Sequence, residues 1–282
     1  MTSKSVNPHL TPEQESEIND FAEWLAEDRF PDDKRIEPYE IARSVGIDVI
    51  TGHYKDKFDG ILEHDNGRFF IYCNLDRVES LTSSRARFTL AHELGHYYIP
   101  DHHNALKSGR TPRHPSHCDH ESKNHAEIEA DFFASCLLMP SRRFRNRAKK
   151  LQPGLQGIRE LAGEFGTSLT SAAIRYAKLD LLQCVIIKWD STGYGWKWLS
   201  PSAYTQGWRK TIEEPAELVP GSATEQIISG TALHKEIIST GTTASYWLPF
   251  IKSGSKQNSI LQEEAISLGQ FGVLTLLYLK ND

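Results

Sequence analysis

The sequence predicts an α+β protein, because helical and strand-like patterns occupy different stretches of its 282 residues. Apolar residues recur with helical spacing over residues 11–28 and 123–139. Three strand-like runs lie between these helices, and buried-strand runs return after residue 183. No internal repeat is visible, so the chain does not belong to the solenoid or propeller classes.

The first 80 residues contain two predicted helices followed by three predicted strands. Residues 11–28 place Phe21, Trp24 and Leu25 on one side and acids on the other, and a second helix is expected over 38–45. The strands are expected over residues 48–51, 60–62 and 68–73. The Asn66-Gly67 pair between the last two predicts a hairpin, since both residues tolerate positive φ.

Two longer helices follow in the middle of the chain. The first begins around Thr82–Ser84, where any of the three residues suits an N-cap, and runs to Pro100. A long polar segment then leads to a helix over residues 123–139, which Pro140 ends.

Composition and charge narrow the class of protein. The net charge of −5 and the pI near 6.2 give the whole chain no attraction to nucleic acid or acidic membranes. There is no secretory signal and no apolar run of about 18 residues. Four cysteines lie far apart without a CxxC pair, which indicates free thiols in a reducing compartment: Cys73, Cys118, Cys136 and Cys184. We therefore expect a cytoplasmic protein.

The helix that precedes Pro100 carries an HExxH motif, His92-Glu93-Leu94-Gly95-His96. Histidines at i and i+4 share one helix face, so both imidazoles can reach a single metal ion. Glu93 can address a water molecule at that metal without binding the ion itself. An exposed helix with two unrelated histidines is the alternative, but the apolar flanks indicate burial, and buried charge needs a partner such as a metal.

A third ligand is expected on the next long helix. A catalytic zinc site needs three protein ligands and an open fourth position. Glu127 is the candidate, and Asp131, four residues later on the same face, would accept a hydrogen bond from a ligand imidazole. Glu129 lies roughly 200° around the helix from Glu127. It is expected to be a solvated acid, and it is the fallback ligand if the register is wrong.

These residues resemble the ImmA/IrrE metallopeptidase family. The resemblance rests on the run from Phe88 to His96, on Glu127-x-x-x-Asp131, and on the following Leu137-Leu138-Met139-Pro140. It covers roughly residues 30 to 180, and it implies a zincin-like domain in which Glu127 is the third ligand. The segment over residues 100–126 departs from the family pattern, because it is long and rich in histidine.

The resemblance implies a cytoplasmic, zinc-dependent endopeptidase. Its substrate would be a helix-turn-helix transcriptional repressor whose cleavage switches on genes, in a stress response or on a mobile element. Zn²⁺ is the expected cofactor, with Mn²⁺ or another divalent ion as the alternative. Glu93 would take a proton from the attacking water and deliver it to the leaving amine.

For three features of this region the sequence leaves more than one interpretation open. The strand at 68–73 is either the edge strand that pairs with an extended substrate or an ordinary sheet strand. The histidine-rich segment is either a second metal site or lid, or a polar solvated loop; its histidines are His102, His103, His114, His117, His120 and His125. The residue that stabilises the oxyanion is not identified, with His125, Tyr97 and Tyr98 as candidates.

Residues 154–179 predict two short amphipathic helices joined by a glycine turn, which is the pattern of a helix-turn-helix. A basic run over 142–150 precedes them, so DNA binding is a second hypothesis. The second helix offers mainly Thr170, Ser171 and Arg175 to a groove, which is a poor set of base readers. We therefore favour a packing or substrate-docking role over DNA reading.

The last third of the chain predicts a separate α+β domain. Buried-strand runs lie at 185–187 and 273–279, residues 243–250 alternate, and five of the six tryptophans fall here. By analogy with the family, this domain is expected to be GAF-like and sensor-like. The expected domains are thus a metallopeptidase domain over 1–150, a helix-turn-helix-like segment over 151–180 and a C-terminal domain over 181–282.

Two other function classes stay open at the level of sequence. One is a DNA-binding regulator with a structural metal site, and the other is an interaction module without proteolytic activity. Glu93 favours an enzyme over both of these classes, because a structural site has no use for a carboxylate beside an open coordination position.

Overall fold

The computed structural model describes most of the chain and divides it into two compact units. Unit 1 comprises Met1–Phe144 with Gly163–Ser168, and unit 2 comprises Arg145–Ala162 with Leu169–Asp282. The described residues are 10–110, 116, 124–190, 193–208, 218–230, 236–243, 247 and 260–279. The three-part division expected from the sequence, with boundaries at 150 and 180, stays a prediction.

Unit 1 contains helices and a small sheet in the order expected from the sequence. Its elements are α1 (Pro12–Arg29), α2 (Pro38–Ser44), β1 (Asp48–Gly52), β2 (Gly60–Asp65), β3 (Arg68–Asn74), α3 (Leu75–Val78), α4 (Ser84–Tyr98), α5 (Pro100–Lys107) and α6 (His125–Leu138). Of the three helices that follow, α7 (Ser141–Ala148) and α8 (Leu155–Phe165) each include residues of both units, and α9 (Leu169–Lys178) belongs to unit 2.

Side chains cap the helices that matter for the site. Thr11 and Gln14 form a capping box at the start of α1. Ser83, within the expected range, accepts a hydrogen bond from the Ala86 amide and begins α4. Asn124 does the same for the Ala126 amide at the start of α6. Each cap satisfies an amide that the helix itself leaves unpaired.

The sheet of unit 1 has the strand order β1-β3-β2. β3 runs parallel to β1 and antiparallel to β2. The predicted hairpin is confirmed, with φ of 46° at Asn66 and 79° at Gly67. The interpretation of the 68–73 strand as an edge strand is wrong, because β3 is central, with a neighbour on each side. Both outer strands, β1 and β2, lie at the edges beside β3.

Close packing of α4 against α6 forms the centre of unit 1. α4 also contacts β2 and β3, and α1 covers α6. Gly95 makes the approach of the two helices possible, because a Cβ there would lie 3.1 Å from the Ala130 Cα and 3.2 Å from a Phe133 ring carbon. The largest buried side chains here include Phe133, Leu90 and Leu94.

A buried arginine holds the other side of α4. Arg87 is 2% exposed, and its guanidinium donates to the Gly166 carbonyl at 3.0 Å and to the Ile36 carbonyl and the Glu37 carboxylate. Two segments distant in sequence, the one before α2 and the one after α8, are thereby tied to the helix that carries the HExxH motif, and both lie within unit 1. A charge buried this deeply is tolerated only because its donors are satisfied.

Unit 2 is built on a five-stranded antiparallel sheet with the strand order β5-β4-β8-β7-β6. Its strands are β4 (Cys184–Asp190), β5 (Gly193–Leu199), β6 (Ile237–Thr243), β7 (Ile260–Ser267) and β8 (Val273–Leu279), and two short helices are α10 (Pro201–Thr205) and α11 (Ala223–Ile228). The expected strand runs at 185–187 and 273–279 are confirmed. Trp189 and Trp247 are buried in its core.

The other predictions for the last third of the chain can be compared with the structure only in part. Of the alternating run at 243–250, only 243 and 247 fall among the described residues. An α+β domain is confirmed, whereas its GAF-like character stays a prediction. In the described part of the chain, no helix combines the length and apolar character needed to cross a membrane.

The Gly95 contact generates a stability prediction. We expect Gly95→Ala to destabilise the protein by about 1–3 kcal/mol, because the added methyl group meets the backbone of α6 and overpacks the interface. Gly163→Ala is the matched control: this helical glycine in α8 has no atom within 4 Å of the new Cβ. Because alanine has a greater helix propensity than glycine, Gly163→Ala should stabilise the protein by roughly 0.5–1 kcal/mol. Urea unfolding measures both, and equal effects would contradict the packing argument.

Candidate metal centre

Helix α4 presents His92 and His96 on one buried face. The two side chains lie one turn apart, and the residues are 1% and 9% exposed. Their Nε2 atoms point to the same place and are 3.1 Å apart. The predicted sharing of one helix face by both imidazoles is therefore confirmed, and the alternative of an exposed helix with unrelated histidines is wrong.

Helix α6 places Glu127 opposite the two imidazoles. One carboxylate oxygen lies 3.3 Å from the His92 Nε2 atom, and the other lies 3.3 Å from the His96 Nε2 atom. Glu127 is 6% exposed and sits in the first turn of α6, beside the N-terminal amides. The three side chains form a group whose ligand atoms all lie within 4.8 Å of one another.

This donor set fits a tetrahedral divalent metal. Zinc bonds to nitrogen and oxygen of about 2.0–2.1 Å place neighbouring ligand atoms roughly 3.3 Å apart at tetrahedral angles. The separations of 3.1 to 3.3 Å between His92, His96 and Glu127 agree with that requirement. Two imidazoles and one carboxylate are also a combination found in catalytic zinc sites. In the described part of the chain, this is the one such group.

Asp131 lies where the sequence places it, behind the first histidine. Its Oδ1 atom is 2.8 Å from the His92 Nδ1 atom. An Nδ1–H that donates to this carboxylate leaves the His92 Nε2 lone pair free for a metal. The role of Asp131 in orienting a ligand stays a prediction, with this contact in its favour.

The charges around the cluster favour a cation. Burial works to lower the pKa of His92, but hydrogen bonds to Asp131 and Glu127 outweigh it and raise that pKa well above its usual value. Burial likewise works to raise the pKa of Glu127, and its contacts with His92 and His96 lower it strongly. The site therefore stabilises positive charge between its carboxylates, as a divalent cation requires.

Glu93, next to His92 on α4, does not belong to the cluster but interacts electrostatically with His92 and Glu127. It is 1% exposed, and among the described residues its Oε1 atom has no hydrogen-bond partner. Burial raises the pKa of Glu93 to about 7, and Glu127 adds to the effect, against lowering by His92, the nearby Ser116 hydroxyl and the Leu62 backbone. A buried carboxylate with a pKa near neutrality suits a general base.

The start of β2 is fixed directly beside Glu93. Asp59 is fully buried and accepts hydrogen bonds from Arg77 at 2.8 Å and from Arg85 of α4 at 2.7 Å. The next residue is Gly60, where a Cβ would lie 2.8 Å from the Glu93 Oε1 atom. Only glycine lets the strand approach the carboxylate this closely.

Glu129 is not the solvated acid that helical phase predicts. Its side chain is 14% exposed, and its carboxylate lies 2.9 Å from the His102 Nε2 atom. The angular argument holds for a bare helix, but the side chains of His102 from α5 and Gln14 from α1 cover this side of α6. Glu129 is also absent from the metal cluster, where Glu127 takes the third position.

The histidine-rich segment has mixed character. Its first part is the helix α5, with His102 only 9% exposed, so the interpretation of a solvated loop is wrong there. His103 bonds the Tyr97 carbonyl at 2.8 Å. The described residues hold no second metal cluster. His114, His117 and His120 lie outside the described residues.

No oxyanion donor is assigned among the predicted candidates. Tyr98 stacks near Phe21 and Phe133, with ring centroids 5.4 and 6.1 Å apart. Tyr97 packs edge-on against Phe69 at 5.1 Å. The third candidate, His125, lies at the start of α6, where its Nε2 atom is 2.9 Å from the Gln14 amide nitrogen.

The comparisons with known proteins agree with this site. Residues 53–176 match the family model for Peptidase_M78, the IrrE N-terminal-like domain. Over these residues the chain carries an IrrE N-terminal-like domain, which supports a likeness to the ImmA/IrrE metallopeptidases. The matched segment contains both histidines of the HExxH motif, Glu93 and Glu127. None of the curated proteins matches the chain at a significant level.

A solved structure supports the fold of the whole chain. A Mycobacterium tuberculosis transcriptional regulator is 14% identical and superimposes with a TM-score of 0.57. The match covers 94% of this chain and 93% of that one. At this identity the likeness concerns the fold alone, and it includes the C-terminal part that the ImmA/IrrE family model does not reach.

Sequence reasoning missed the partner of His96 and misjudged the edge strand. His102 is six residues beyond His96, and Pro100 begins a new helix between them. A proline just past the end of a histidine-bearing helix marks a turn, and that turn brings the next histidine back. Nothing local identifies Gly60 as the residue that touches Glu93, because the two are 33 positions apart in sequence.

The geometry of the cluster predicts how much zinc affinity is lost when each nearby acid is replaced. Glu127→Ala should abolish tight zinc binding, because it removes one of three ligand side chains. Asp131→Asn should weaken binding by about 10- to 100-fold, since it acts only through the His92 Nδ1 atom. Competition against a fluorescent zinc chelator measures both affinities. If Glu129→Ala costs more affinity than Glu127→Ala, the assignment of the third ligand is wrong.

Proposed function

We propose that this protein is a zinc-dependent endopeptidase that cleaves another protein. The observation that supports it is the state of Glu93: a buried carboxylate, with one oxygen unpaired among the described residues, follows His92 on α4 and interacts electrostatically with His92 and Glu127 of the His-His-Glu cluster. Desolvating such a group costs free energy that a structural metal site would not repay. A hydrolytic site uses it to take and return a proton.

Each residue of the site has a distinct role in this proposal. His92, His96 and Glu127 hold the ion, which is Zn²⁺ or, as the alternative, Mn²⁺ or another divalent metal. When bound, the ion supplies Lewis acidity toward the scissile carbonyl and the attacking water. Glu93 accepts the proton of that water and donates it to the departing amine. Asp131 keeps the His92 ring oriented through its Nδ1 atom.

The corrected strand order changes where the substrate would lie. β2 pairs with β3 on one side. In the described part of the chain, its other side carries only the bridge between Gly60 and Ser116. We propose that an extended peptide pairs with β2 beyond Gly60. The first residue of this strand lies beside Glu93, and backbone pairing suits an extended segment. A folded helical domain cannot adopt that geometry, so the cut would fall in a linker or an unfolded segment.

The proposed substrate is a helix-turn-helix transcriptional repressor. This part of the proposal rests on the family resemblance, and the structural neighbour named as a transcriptional regulator agrees with a role in gene control. Cleavage between the DNA-reading domain and the rest of a repressor would release the genes it controls, in a stress response or on a mobile element, within the cytoplasm. A sensor role for unit 2 belongs to the same proposal.

Glu93→Gln tests the enzymatic role directly. The amide retains the size of the side chain but cannot accept a proton, so cleavage should fall by several orders of magnitude while zinc stays stoichiometric. The substrate is a helix-turn-helix repressor encoded beside this gene, incubated with the full chain. Mass spectrometry of the products locates the cut, which we expect in an exposed linker.

The control variant is Glu160→Gln, which makes the same chemical change at an exposed position on α8. It should cleave like the wild type. Loss of zinc from Glu93→Gln would contradict its role as a base, because Glu93 would then be a ligand. Undiminished cleavage by Glu93→Gln would sink the proposed mechanism.

DNA binding is the second hypothesis, and the burial of α9 argues against it. Arg175 is 2% exposed and Ser171 is 7% exposed, so two of the three candidate base readers cannot reach a groove. In the basic run, Arg142 and Arg143 both bind Glu27, at 2.8 and 2.9 Å. These side chains are engaged within the protein.

We accordingly expect the purified protein to bind duplex DNA weakly and without sequence preference. The net charge of −5 gives no general attraction to phosphate, and any weak binding should vanish as salt rises. An electrophoretic mobility assay with the promoter region of the neighbouring genes is the measurement. A sequence-specific shift that persists at about 150 mM salt would favour a regulator over an enzyme.

A further inference from the structure

His96 differs from His92 in what lies behind it. The Nδ1 atom of His92 meets a carboxylate directly, that of Asp131 at 2.8 Å. The Nδ1 atom of His96 instead meets another imidazole, the Nδ1 atom of His102 at 3.2 Å. Two ring nitrogens at that distance form a hydrogen bond only if one carries a proton and the other offers a lone pair.

The far side of His102 decides which nitrogen carries the proton. Its Nε2 atom lies 2.9 Å from the Glu129 Oε2 atom. An ionised carboxylate only accepts hydrogen bonds, so a neutral His102 must carry its proton on Nε2. Its Nδ1 atom is then a lone pair, which accepts the Nδ1–H of His96. His96 is thereby left with a free Nε2 lone pair, on the side that faces Glu127.

The opposite arrangement conflicts with its surroundings at both ends. A proton on the His102 Nδ1 atom would turn the His102 Nε2 lone pair toward the Glu129 carboxylate. It would also force the His96 proton onto Nε2, where it would block a metal. The carboxylate therefore selects the tautomer of His96 through the intervening ring.

We propose that His102 and Glu129 form a positioning relay that holds His96 in the tautomer that presents Nε2 to the metal. The inference rests on the proposed metallopeptidase function. The two ligand histidines thus have different supports: Asp131 acts on His92 directly, and Glu129 acts on His96 through His102. Both supporting carboxylates come from α6, the helix that also supplies Glu127.

The carboxylate of Glu129 is itself held in place from α1. The Nε2 atom of Gln14 donates to the Glu129 Oε1 atom at 3.2 Å. The amide of Gln14 cannot flip freely, because its Oε1 atom accepts the Thr11 amide at 3.0 Å in the capping box. One oxygen of Glu129 therefore faces Gln14, and the other faces His102. The Glu129 Oε1 atom also lies 3.5 Å from the His125 Nε2 atom, and the relay ends at the capping box of α1.

The residues of the relay are buried, which strengthens the hydrogen bonds between them. His102 is 9% exposed and the Glu129 side chain is 14% exposed, so little water competes for these hydrogen bonds. A second metal site does not explain them, since the described residues offer no ligand cluster besides His92, His96 and Glu127. The residues act through His96 and are positioning residues.

The first test measures zinc affinity in four single variants of the full chain, by competition with a chelator. His102→Leu removes the acceptor and should raise the zinc Kd by about 10- to 100-fold, as for other partners behind a ligand. His102→Asn places an amide oxygen close to the former Nδ1 position and should recover most of that loss. Glu129→Leu should also weaken binding, because the tautomer of His102 is then no longer selected.

The fourth variant is the matched control, His103→Asn. His103 is the next residue on α5, and its Nδ1 atom bonds the Tyr97 carbonyl rather than His96. Its zinc Kd should equal that of the wild type. Circular dichroism and thermal melting show whether each variant folds. Equal losses in His102→Leu and His103→Asn, or no loss in His102→Leu, would overturn the relay.

The second test reads the tautomers themselves. Long-range ¹H–¹⁵N spectra of the zinc-loaded wild type should show the proton of His102 on Nε2 and that of His96 on Nδ1. Glu129→Leu should shift His102 toward a tautomer mixture, which a purely structural role would not produce. A His102 proton on Nδ1 in the wild type would overturn the relay.

Neither test uses a peptide substrate, so the relay and the proposed function can fail separately. A wild type that binds zinc, shows these tautomers and cleaves no repressor would refute the enzymatic proposal alone. A wild type that cleaves the repressor while His102→Leu binds zinc normally would refute the relay alone. A wild type that binds no zinc would refute both.

Discussion

The close approach of α4 to α6 is the constraint on which the site depends. It is set at Gly95, where a Cβ would lie 3.1 Å from the Ala130 Cα and crowd the backbone of α6. That residue lies inside the HExxH motif, between Glu93 and His96, so the packing contact and the candidate ligands share one turn of helix. At this distance Glu127 can face both imidazoles at 3.3 Å, Asp131 can reach the outer side of the His92 ring, and Glu129 can reach His102 behind His96. A wider gap would leave buried acids and imidazoles without partners.

Charge compensation explains why so many ionisable groups can be buried together. Glu93, Glu127 and Asp131 surround two imidazoles in a region with little solvent, where unbalanced negative charge is costly. The shifts in pKa show the direction of the imbalance, since His92 is driven toward its protonated form and Glu93 toward its neutral one. A divalent cation at the cluster would relieve both tendencies. The match of residues 53–176 to an IrrE N-terminal-like domain agrees with a metal at this place.

The surroundings of the cluster are as specific as the cluster itself. Asp59, fully buried between Arg77 and Arg85, fixes the start of β2, and Gly60 then touches Glu93. In the proposed function, an edge strand that begins beside the general base would combine substrate alignment with proton transfer in one place. On the other side, Glu129 contacts His102 and, on the N-terminal helix, Gln14. The surroundings of the cluster therefore come from four helices, α1, α4, α5 and α6, and one strand, β2.

The sequence by itself determined what is periodic or local. It predicted the helices α1, α2, α4 and α6, the Asn66-Gly67 hairpin, the i, i+4 histidine pair and the ExxxD pair, because each depends on backbone geometry over a few residues. Tertiary structure decided the rest. The central position of β3 depends on parallel pairing with β1, about 20 residues away. The burial of Glu129 depends on α5 folding back after Pro100, and helical phase alone had assigned that acid to solvent. Such contacts join distant segments, and only packing of the whole unit brings those segments together.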